Sequence, residues 1–230
     1  MNTHANKQHY LATAQPAPAA LEAGQKVLRD TYRLLSATLL FSAVVAGLSA
    51  ALRLPAPGLL LTLGGYFALL FLTFRLRNSA WGLLSVFALT GFMGYTLGPV
   101  IGHYLALANG PQLVATTMGI TGLAFLGLSA YARSAGAVNT ASWGSFLMIG
   151  ILTAFGLGLA ALLFQMPALS LAVSGVFVLL MCGLIMFETQ NIVRGGETNY
   201  IIATVSLFVS IYNLFMSLLH ITGFLGGEEA

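Results

Sequence analysis

Glu188, in the run FETQNIV, is the one acidic residue that lies inside a long apolar segment of this sequence. A carboxylate in hydrocarbon is unfavourable, so such a group must pair with a cation, take up a proton or reach water. Its position therefore suits a proton sensor or an ion pathway. Arg75 and Arg77, at the end of another apolar segment, are its candidate partners in an ion pair. The alternative is that Glu188 lies close enough to a membrane interface for its side chain to reach the headgroup region.

A row of polar residues in the last apolar segment is a second candidate feature. Its members follow one another at spacings of four, three, four and three residues: Ser206, Ser210, Asn213, Ser217 and His220. These spacings place all five on one face of an α-helix. We expect that face to point into a helix bundle, where it either joins helices by hydrogen bonds or lines a watery path. Together with Glu188, it predicts a polar, cytoplasm-facing cavity between the last two helices.

Glycines recur every four residues in the third apolar segment, at Gly94, Gly98 and Gly102, with Pro99 among them. Small residues allow the backbones of membrane helices to approach closely. Proline lacks an N–H, so Pro99 should bend the helix and leave the carbonyl oxygen of Tyr95 without its usual donor. We therefore expect either a packing groove with a bend or a hinge that lets this helix move.

Several kinds of catalytic and metal site are excluded by the residue types present. The one aspartate, Asp30, and both lysines precede the first apolar segment, which excludes an intramembrane aspartyl protease and a retinal Schiff base. The one cysteine, Cys182, excludes an intrachain disulfide and a CxxC redox pair. HExxH and GxSxG are absent. We therefore expect no enzymatic activity, no resident metal and no cofactor.

The composition indicates the environment in which these residues must be positioned. Of the 230 residues, 58% are hydrophobic and 7% are charged. A soluble domain of this size has about 25% charged residues, because its surface faces water. A soluble globular domain and a disordered chain are therefore excluded, and nine scattered basic residues exclude a nucleic-acid-binding protein. We predict a polytopic membrane protein.

Seven continuous apolar runs are long enough to cross roughly 30 Å of hydrocarbon as helices. They cover residues 34–52, 58–74, 81–101, 112–132, 142–164, 168–193 and 200–225. The connecting segments are too short for an extramembrane domain. We predict an all-α bundle of seven transmembrane helices over residues 25–230, preceded by a flexible tail of residues 1–24.

The basic residues predict the orientation of this bundle. With the N-terminus in the cytoplasm, eight of the nine Lys and Arg lie on the cytoplasmic side, and Arg53 lies opposite. Such an excess is typical of cytoplasmic loops, and it places the C-terminus in the periplasm. The N-terminal tail lacks the apolar core of a cleavable signal peptide. We interpret it either as a segment without a function of its own or as a segment that a partner protein binds.

Four runs of the sequence resemble the transmembrane Bax inhibitor motif family, in particular its bacterial YccA-like branch. They are KVLRDTYRLLSATLLFSA, GFMGYTLGP, FETQNIVRGGETNYI and ATVSLFVSIYNLF, and the resemblance extends over about residues 25–225. It implies a seven-helix fold in the bacterial inner membrane. It also implies a partner, the ATP-dependent membrane protease FtsH, which such proteins restrain and which engages their cytoplasmic N-terminal tail.

The wider family implies an alternative function, a pH-sensitive calcium leak whose sensor is a pair of aspartates on the last two helices. Carried over by position, these fall on Glu188 and Ser210. Ser210 cannot ionise, so the pair can neither share a proton as two carboxyl groups do nor offer two anionic ligands to Ca²⁺. The calcium leak is thus weakened for this chain, and a proton-dependent latch between Glu188 and Arg75 or Arg77 stays open.

Overall fold

The structure, a computed structural model, describes residues 18–134 and 140–227, and the secondary structure of that part of the chain is helical. Its helices are α1 Pro18–Ala51, α2 Leu59–Leu76, α3 Trp81–Leu105, α4 Gly110–Ser134, α5 Thr140–Leu163, α6 Pro167–Val193 and α7 Tyr200–Gly227. All seven contain a stretch long and apolar enough to cross a membrane. The prediction of a seven-helix bundle is confirmed.

The first helix begins earlier than the sequence suggested. α1 starts at Pro18, so residues 18–24, which we assigned to the flexible tail, are helical, whereas residues 1–17 lie outside the described residues. Proline is well suited to the first turn of a helix, where an N–H has no intrahelical acceptor. The run AALEA that follows is rich in strong helix formers. The helix propensity of these residues therefore extends α1 beyond the segment that is needed to cross the membrane.

The last helix, α7, lies at the centre of the bundle. It packs against α6, α1, α4 and α3. In its apolar stretch 67% of the residues are buried inside the protein, against 6% in α2. Phe208 and Leu214, on α7, belong to the main apolar core. A polar face on this helix therefore meets protein rather than lipid.

The glycine row of α3 packs against α1, and this is the most extensive helix–helix contact of the bundle. A Cβ atom at Gly94 would meet the carbonyl oxygen of Ser42, and one at Gly98 would overlap the side chain of Ser49. Gly102 is less crowded, with Ala50 at 4.0 Å. The two inner glycines thus allow a backbone approach that any larger residue would prevent.

Pro99 lies within α3, which stays helical on both sides of it. The Oγ of Ser49 on α1 donates a hydrogen bond of 3.1 Å to the carbonyl oxygen of Tyr95, four residues before the proline. The Tyr95 hydroxyl in turn donates to the carbonyl oxygen of Pro55 at 2.9 Å. The carbonyl group predicted to lack a helical donor is therefore satisfied by the neighbouring helix.

Asn199 fixes the start of α7. Its Oδ1 accepts hydrogen bonds from the backbone N–H groups of Ile201 at 3.0 Å and Ile202 at 3.2 Å, as an N-cap residue does. Its Nδ2 donates to Asn78 Oδ1 at 2.9 Å and to the carbonyl oxygen of Arg77 at 3.1 Å. One amide group therefore joins the α6–α7 turn to the α2–α3 turn.

Candidate functional site

Glu188 and Ser210 face each other across the contact between α6 and α7. The Oγ of Ser210 donates a hydrogen bond of 3.1 Å to Oε2 of Glu188. The side chain of Ser206, one turn earlier on α7, is a further hydrogen-bonding partner of the same carboxyl group. Ser210 is fully buried, whereas Glu188 and Ser206 are half-buried. The structure thus brings together three of the residues predicted to form the polar site.

The Ser210 hydroxyl has two acceptors within reach, because its Oγ also lies 2.9 Å from the carbonyl oxygen of Ser206. A hydroxyl group has one proton to donate and two lone pairs to accept with. When Glu188 is ionised, the proton is best placed towards the carboxylate. When Glu188 is protonated, Ser210 can donate to the Ser206 carbonyl and accept from the carboxyl O–H. The hydroxyl can therefore adapt to either protonation state without moving a helix.

The predicted ion pair between Glu188 and Arg75 or Arg77 is not formed. Within the described ranges, ion pairs join Asp30 to Arg29 at 3.8 Å and to Arg33 at 3.9 Å. Arg75 and Arg77 are exposed at the end of α2, a helix that packs on α3 rather than on α6. The position of α2 at the edge of the bundle separates these arginines from the carboxyl group.

The other end of the polar row on α7 also faces α6. Nδ1 of His220 lies 2.8 Å from the Oγ of Ser174. Ser217, three residues before His220, is buried. The Nδ2 of Asn213 donates a hydrogen bond of 2.8 Å to the carbonyl oxygen of Val209, which lies in the same helix. Ser206 and Ser210 at one end of the row and His220 at the other therefore contact α6.

Ser174 did not stand out in the sequence, although a signal for it exists. It precedes Glu188 by fourteen residues, which is close to four turns of a helix, so both lie on one face of α6. Ser206 and His220 are separated by the same fourteen residues on α7. In an antiparallel pair of helices, equal spacings on facing sides bring both ends into contact.

Threonine hydroxyls join the central helix to its other neighbours, and sequence reasoning missed all of these bonds. The contacts, with donor–acceptor distances, are Thr96–Tyr212 at 3.4 Å, Thr117–Thr222 at 2.9 Å and Thr204 to the carbonyl oxygen of Thr31 at 3.3 Å. The hydroxyl of a threonine in a helix usually donates to a backbone carbonyl of the same helix, so a threonine in the sequence does not by itself predict a hydrogen bond to another helix. Hydrogen bonds thus tie α7 to α3, α4, α1 and α6.

Polar groups also surround Glu188 along α6. Thr189 is fully buried, and its Oγ1 lies 3.5 Å from the Oγ of Ser129 on α4. Gln190 is 3% exposed, and its Nε2 has no hydrogen-bonding partner among the described residues. The part of α6 that contains Glu188 is therefore polar on several sides, in contrast to the apolar stretch before it.

The oxygen atoms at this site are a poor set of ligands for a divalent cation. Ca²⁺ takes six to eight oxygen ligands, several of them carboxylates. The Glu188 carboxyl group meets hydroxyl groups here, and the described residues contain no group of three His, Cys, Asp or Glu that could hold a metal. The arrangement is better suited to holding a proton than to holding Ca²⁺.

Comparison with known sequences identifies the kind of protein to which this bundle belongs. The family model described as "Inhibitor of apoptosis-promoting Bax1" matches residues 24–228. The chain belongs to the Bax inhibitor family. The match begins at Gly24, a buried residue of α1 at which a Cβ atom would meet the carbonyl oxygens of Val193 and Ile192.

Similar members of the Bax inhibitor family occur in other bacteria. A protein of Escherichia coli K12 named "Modulator of FtsH protease YccA" is 51% identical over 200 residues, which cover 86% of this chain and 90% of the relative. A protein of Escherichia coli O6:H1 with the same identity and coverage is named "Inner membrane protein YccA". An uncharacterised protein of Pseudomonas aeruginosa is 49% identical over 203 residues, 88% of this chain and 91% of its own length. The resemblance seen in the four sequence runs is confirmed.

Proposed function

We propose that this protein is a non-enzymatic regulator in the bacterial inner membrane that binds the FtsH protease and restrains it. The observation that carries the proposal is the 51% identity, over 86% of the chain, to a protein named as a modulator of that protease. The aligned region covers most of the bundle rather than one motif. The eight basic residues on one side support an orientation with the N-terminus in the cytoplasm and the C-terminus in the periplasm.

The N-terminal segment is the part of the chain that the protease would engage. Residues 1–23 precede Gly24, which is buried and whose position lies against the carbonyl oxygens of Val193 and Ile192 at the end of α6. Chain termini are common sites of protease access. A protease that pulls from this end must next remove α1 from the membrane bundle.

The contact between α1 and α3 supports slow extraction. It contains the close approaches at Gly94 and Gly98 and the hydrogen bond from Ser49 to Tyr95. Because α1 also packs against α7, a force that pulls on α1 also acts on the central helix α7. A substrate that is engaged readily and extracted slowly occupies the protease, and this occupancy would restrain the cleavage of other substrates.

Co-reconstitution tests this function. The full chain and FtsH are placed in phospholipid vesicles, and binding is measured by pull-down in mild detergent. We expect the full chain to be retained with FtsH, and we expect a chain without residues 1–24 to be degraded more slowly while it still binds. Absence of binding by the full chain, together with no effect on cleavage of a membrane substrate, would overturn the proposal.

A second candidate is a pH-gated ion leak in which the contact between Glu188 and Ser210 would be the sensor. The 3.1 Å separation means that an aspartate at position 210 would place two carboxyl groups together. Calcium flux from vesicles at several pH values would be compared for the wild type, Glu188→Gln and Ser210→Asp. Flux in the wild type that Glu188→Gln abolishes supports the leak. No flux in any variant excludes it, and flux in Ser210→Asp alone shows that this chain lacks the second carboxyl group of a sensor.

A further inference from the structure

A groove of about 470 Å³ lies between α1 and α4, away from the contact of α6 with α7. Its walls are formed by Leu40 and Gly47 on α1 and by Met118 and Gly122 on α4. Its floor is formed by α3 and α7, with Phe208 among the floor residues. The groove exists because α1 and α4 each pack on α3 and α7 but make little contact with each other at this depth.

The groove opens sideways, towards the surroundings of the bundle. Leu40 and Met118, on its two walls, are 70% and 54% exposed, whereas Phe208 on its floor is 1% exposed. Outside its lining, the rings of Tyr32 on α1 and Phe125 on α4 meet edge to face at 5.8 Å and join the two walls. All its lining residues lie within the apolar stretches that can cross a membrane, so its mouth faces hydrocarbon.

The lining offers almost no polar group to an occupant. The hydroxyl of Thr121 donates to the carbonyl oxygen of Thr117 at 2.8 Å. The hydroxyl of Tyr212 is 3.4 Å from that of Thr96. Ser42 on α1 adds a third hydroxyl to the lining. A polar solute or a lipid headgroup would lose most of its hydrogen bonds to water here and gain few, which is unfavourable. The occupant must therefore be apolar.

The size of the groove distinguishes between two apolar occupants. Its lining on α1 runs from Leu39 to Gly47, which is about 12 Å of helix at 1.5 Å per residue. The groove is therefore much shorter than the roughly 30 Å over which a partner's spanning helix would need to pack. A single hydrocarbon chain is thinner and flexible, and it is the apolar material that surrounds the mouth.

We propose that this groove binds an acyl chain of a membrane phospholipid. Lipid tails are as apolar as the lining, so the driving force is close packing, because an unfilled groove forfeits dispersion contacts along its walls. The chain would lie against α7 on the face that carries Phe208 and Ile211. Ser210 points instead towards Glu188 on α6, so the lipid site and the polar site share a helix but no side chain. The lipid site does not depend on binding of FtsH.

Photolabelling of the full chain tests the site. The protein is placed in vesicles of phosphatidylethanolamine and phosphatidylglycerol that contain a phospholipid with a diazirine on one acyl chain, and labelled residues are mapped by mass spectrometry. Gly47→Leu and Gly122→Leu fill the groove, and a Cβ atom at either position meets no atom within 4 Å. Gly127→Leu is the matched control, because its Cβ is equally free on α4 but outside the lining.

We expect labels to concentrate on the groove residues of α1 and α4, at a level well above that on the exposed residues of α2. Filling the groove should lower this labelling by about fivefold or more, since each leucine removes contacts worth several methylene groups, whereas Gly127→Leu should leave it unchanged. Equal labelling of groove and α2 in the wild type would overturn the proposal even if a filled variant failed to fold. Undiminished labelling in folded variants, or a second copy of the chain cross-linked in the groove, would overturn it as well.

Discussion

Ser49 on α1 supplies the hydrogen bond that the carbonyl oxygen of Tyr95 on α3 cannot obtain from its own helix, at 3.1 Å. The missing donor is the backbone nitrogen of Pro99, four residues later. Gly98 lies beside the same serine, with room for no side chain. A proline, a close approach and a donor from the neighbouring helix thus coincide at one point of the contact between α1 and α3.

Ser49→Ala should weaken this contact. Loss of one interhelical hydrogen bond in a membrane bundle is expected to lower the free energy of unfolding by about 0.6–1 kcal/mol. If extraction of α1 limits degradation, the rate of cleavage by FtsH should rise roughly three- to fivefold. Ser36→Ala is the control, because the Ser36 hydroxyl bonds to the carbonyl oxygen of Tyr32 within its own helix. Equal degradation rates for the two variants would count against α1 extraction as the slow step.

Gly98→Ala should destabilise the bundle by about 1–3 kcal/mol, because the added methyl group overlaps the Ser49 side chain and forces the two helices apart. Gly119→Ala, on α4, meets no atom within 4 Å. It should be neutral or stabilise by up to about 1 kcal/mol, since alanine is the better helix former. Unfolding in mixed detergents measures both changes. Similar effects of the two substitutions would contradict the close packing of α3 on α1.

Ser210→Ala should destabilise the protein more in alkaline than in acidic buffer. The serine donates to Glu188, and a hydrogen bond to a charged group contributes about 1.5–3 kcal/mol, against about 0.5–1.5 kcal/mol for a neutral pair. Thermal unfolding across a pH series measures the difference from the wild type. Ser210→Thr, which keeps the hydroxyl, should restore most of the stability. A loss that is the same at every pH would mean that Ser210 does not respond to the charge on Glu188.

Glu188→Gln should reduce the pH dependence of unfolding while the fold is kept. The amide has nearly the shape of the carboxyl group and can still accept from Ser210, but it does not titrate. Glu197→Gln is the matched control, because Glu197 lies in the turn between α6 and α7, where its Oε1 accepts from the backbone of Asn199 at 2.7 Å. If the pH dependence of Glu188→Gln equals that of the wild type, Glu188 is not a proton-sensing group in this protein.

The sequence predicts the helices well because the membrane imposes their length. A run such as 168–193 must be helical to satisfy its backbone in hydrocarbon, and the structure has α6 there. The start of α1 at Pro18 was missed, since no such constraint acts outside the membrane. Boundaries in water depend on local propensity and capping, which are weaker signals.

The polar site was predictable only in part, because helical periodicity reveals faces but not neighbours. The spacing of Ser206, Ser210 and His220 was enough to place them on an inward face. The spacing of fourteen residues places Ser174 on the same face of α6 as Glu188, but it does not tell that this face meets α7. The contact of Ser49 with Tyr95 likewise depends on which helices meet and at what height. The pairing of Glu188 with Arg75 failed for the same reason, since α2 lies at the edge of the bundle.

Restraint of FtsH is measured as the effect of this protein on the cleavage of another FtsH substrate. Purified FtsH is reconstituted in vesicles with a fixed amount of a membrane substrate, and the full chain is added at increasing ratios while the initial rate of substrate cleavage is measured. If the chain restrains the protease by occupying it, the rate falls as the ratio rises and recovers as the added chain is itself degraded. A cleavage rate that stays constant at every ratio would show that the chain does not restrain FtsH.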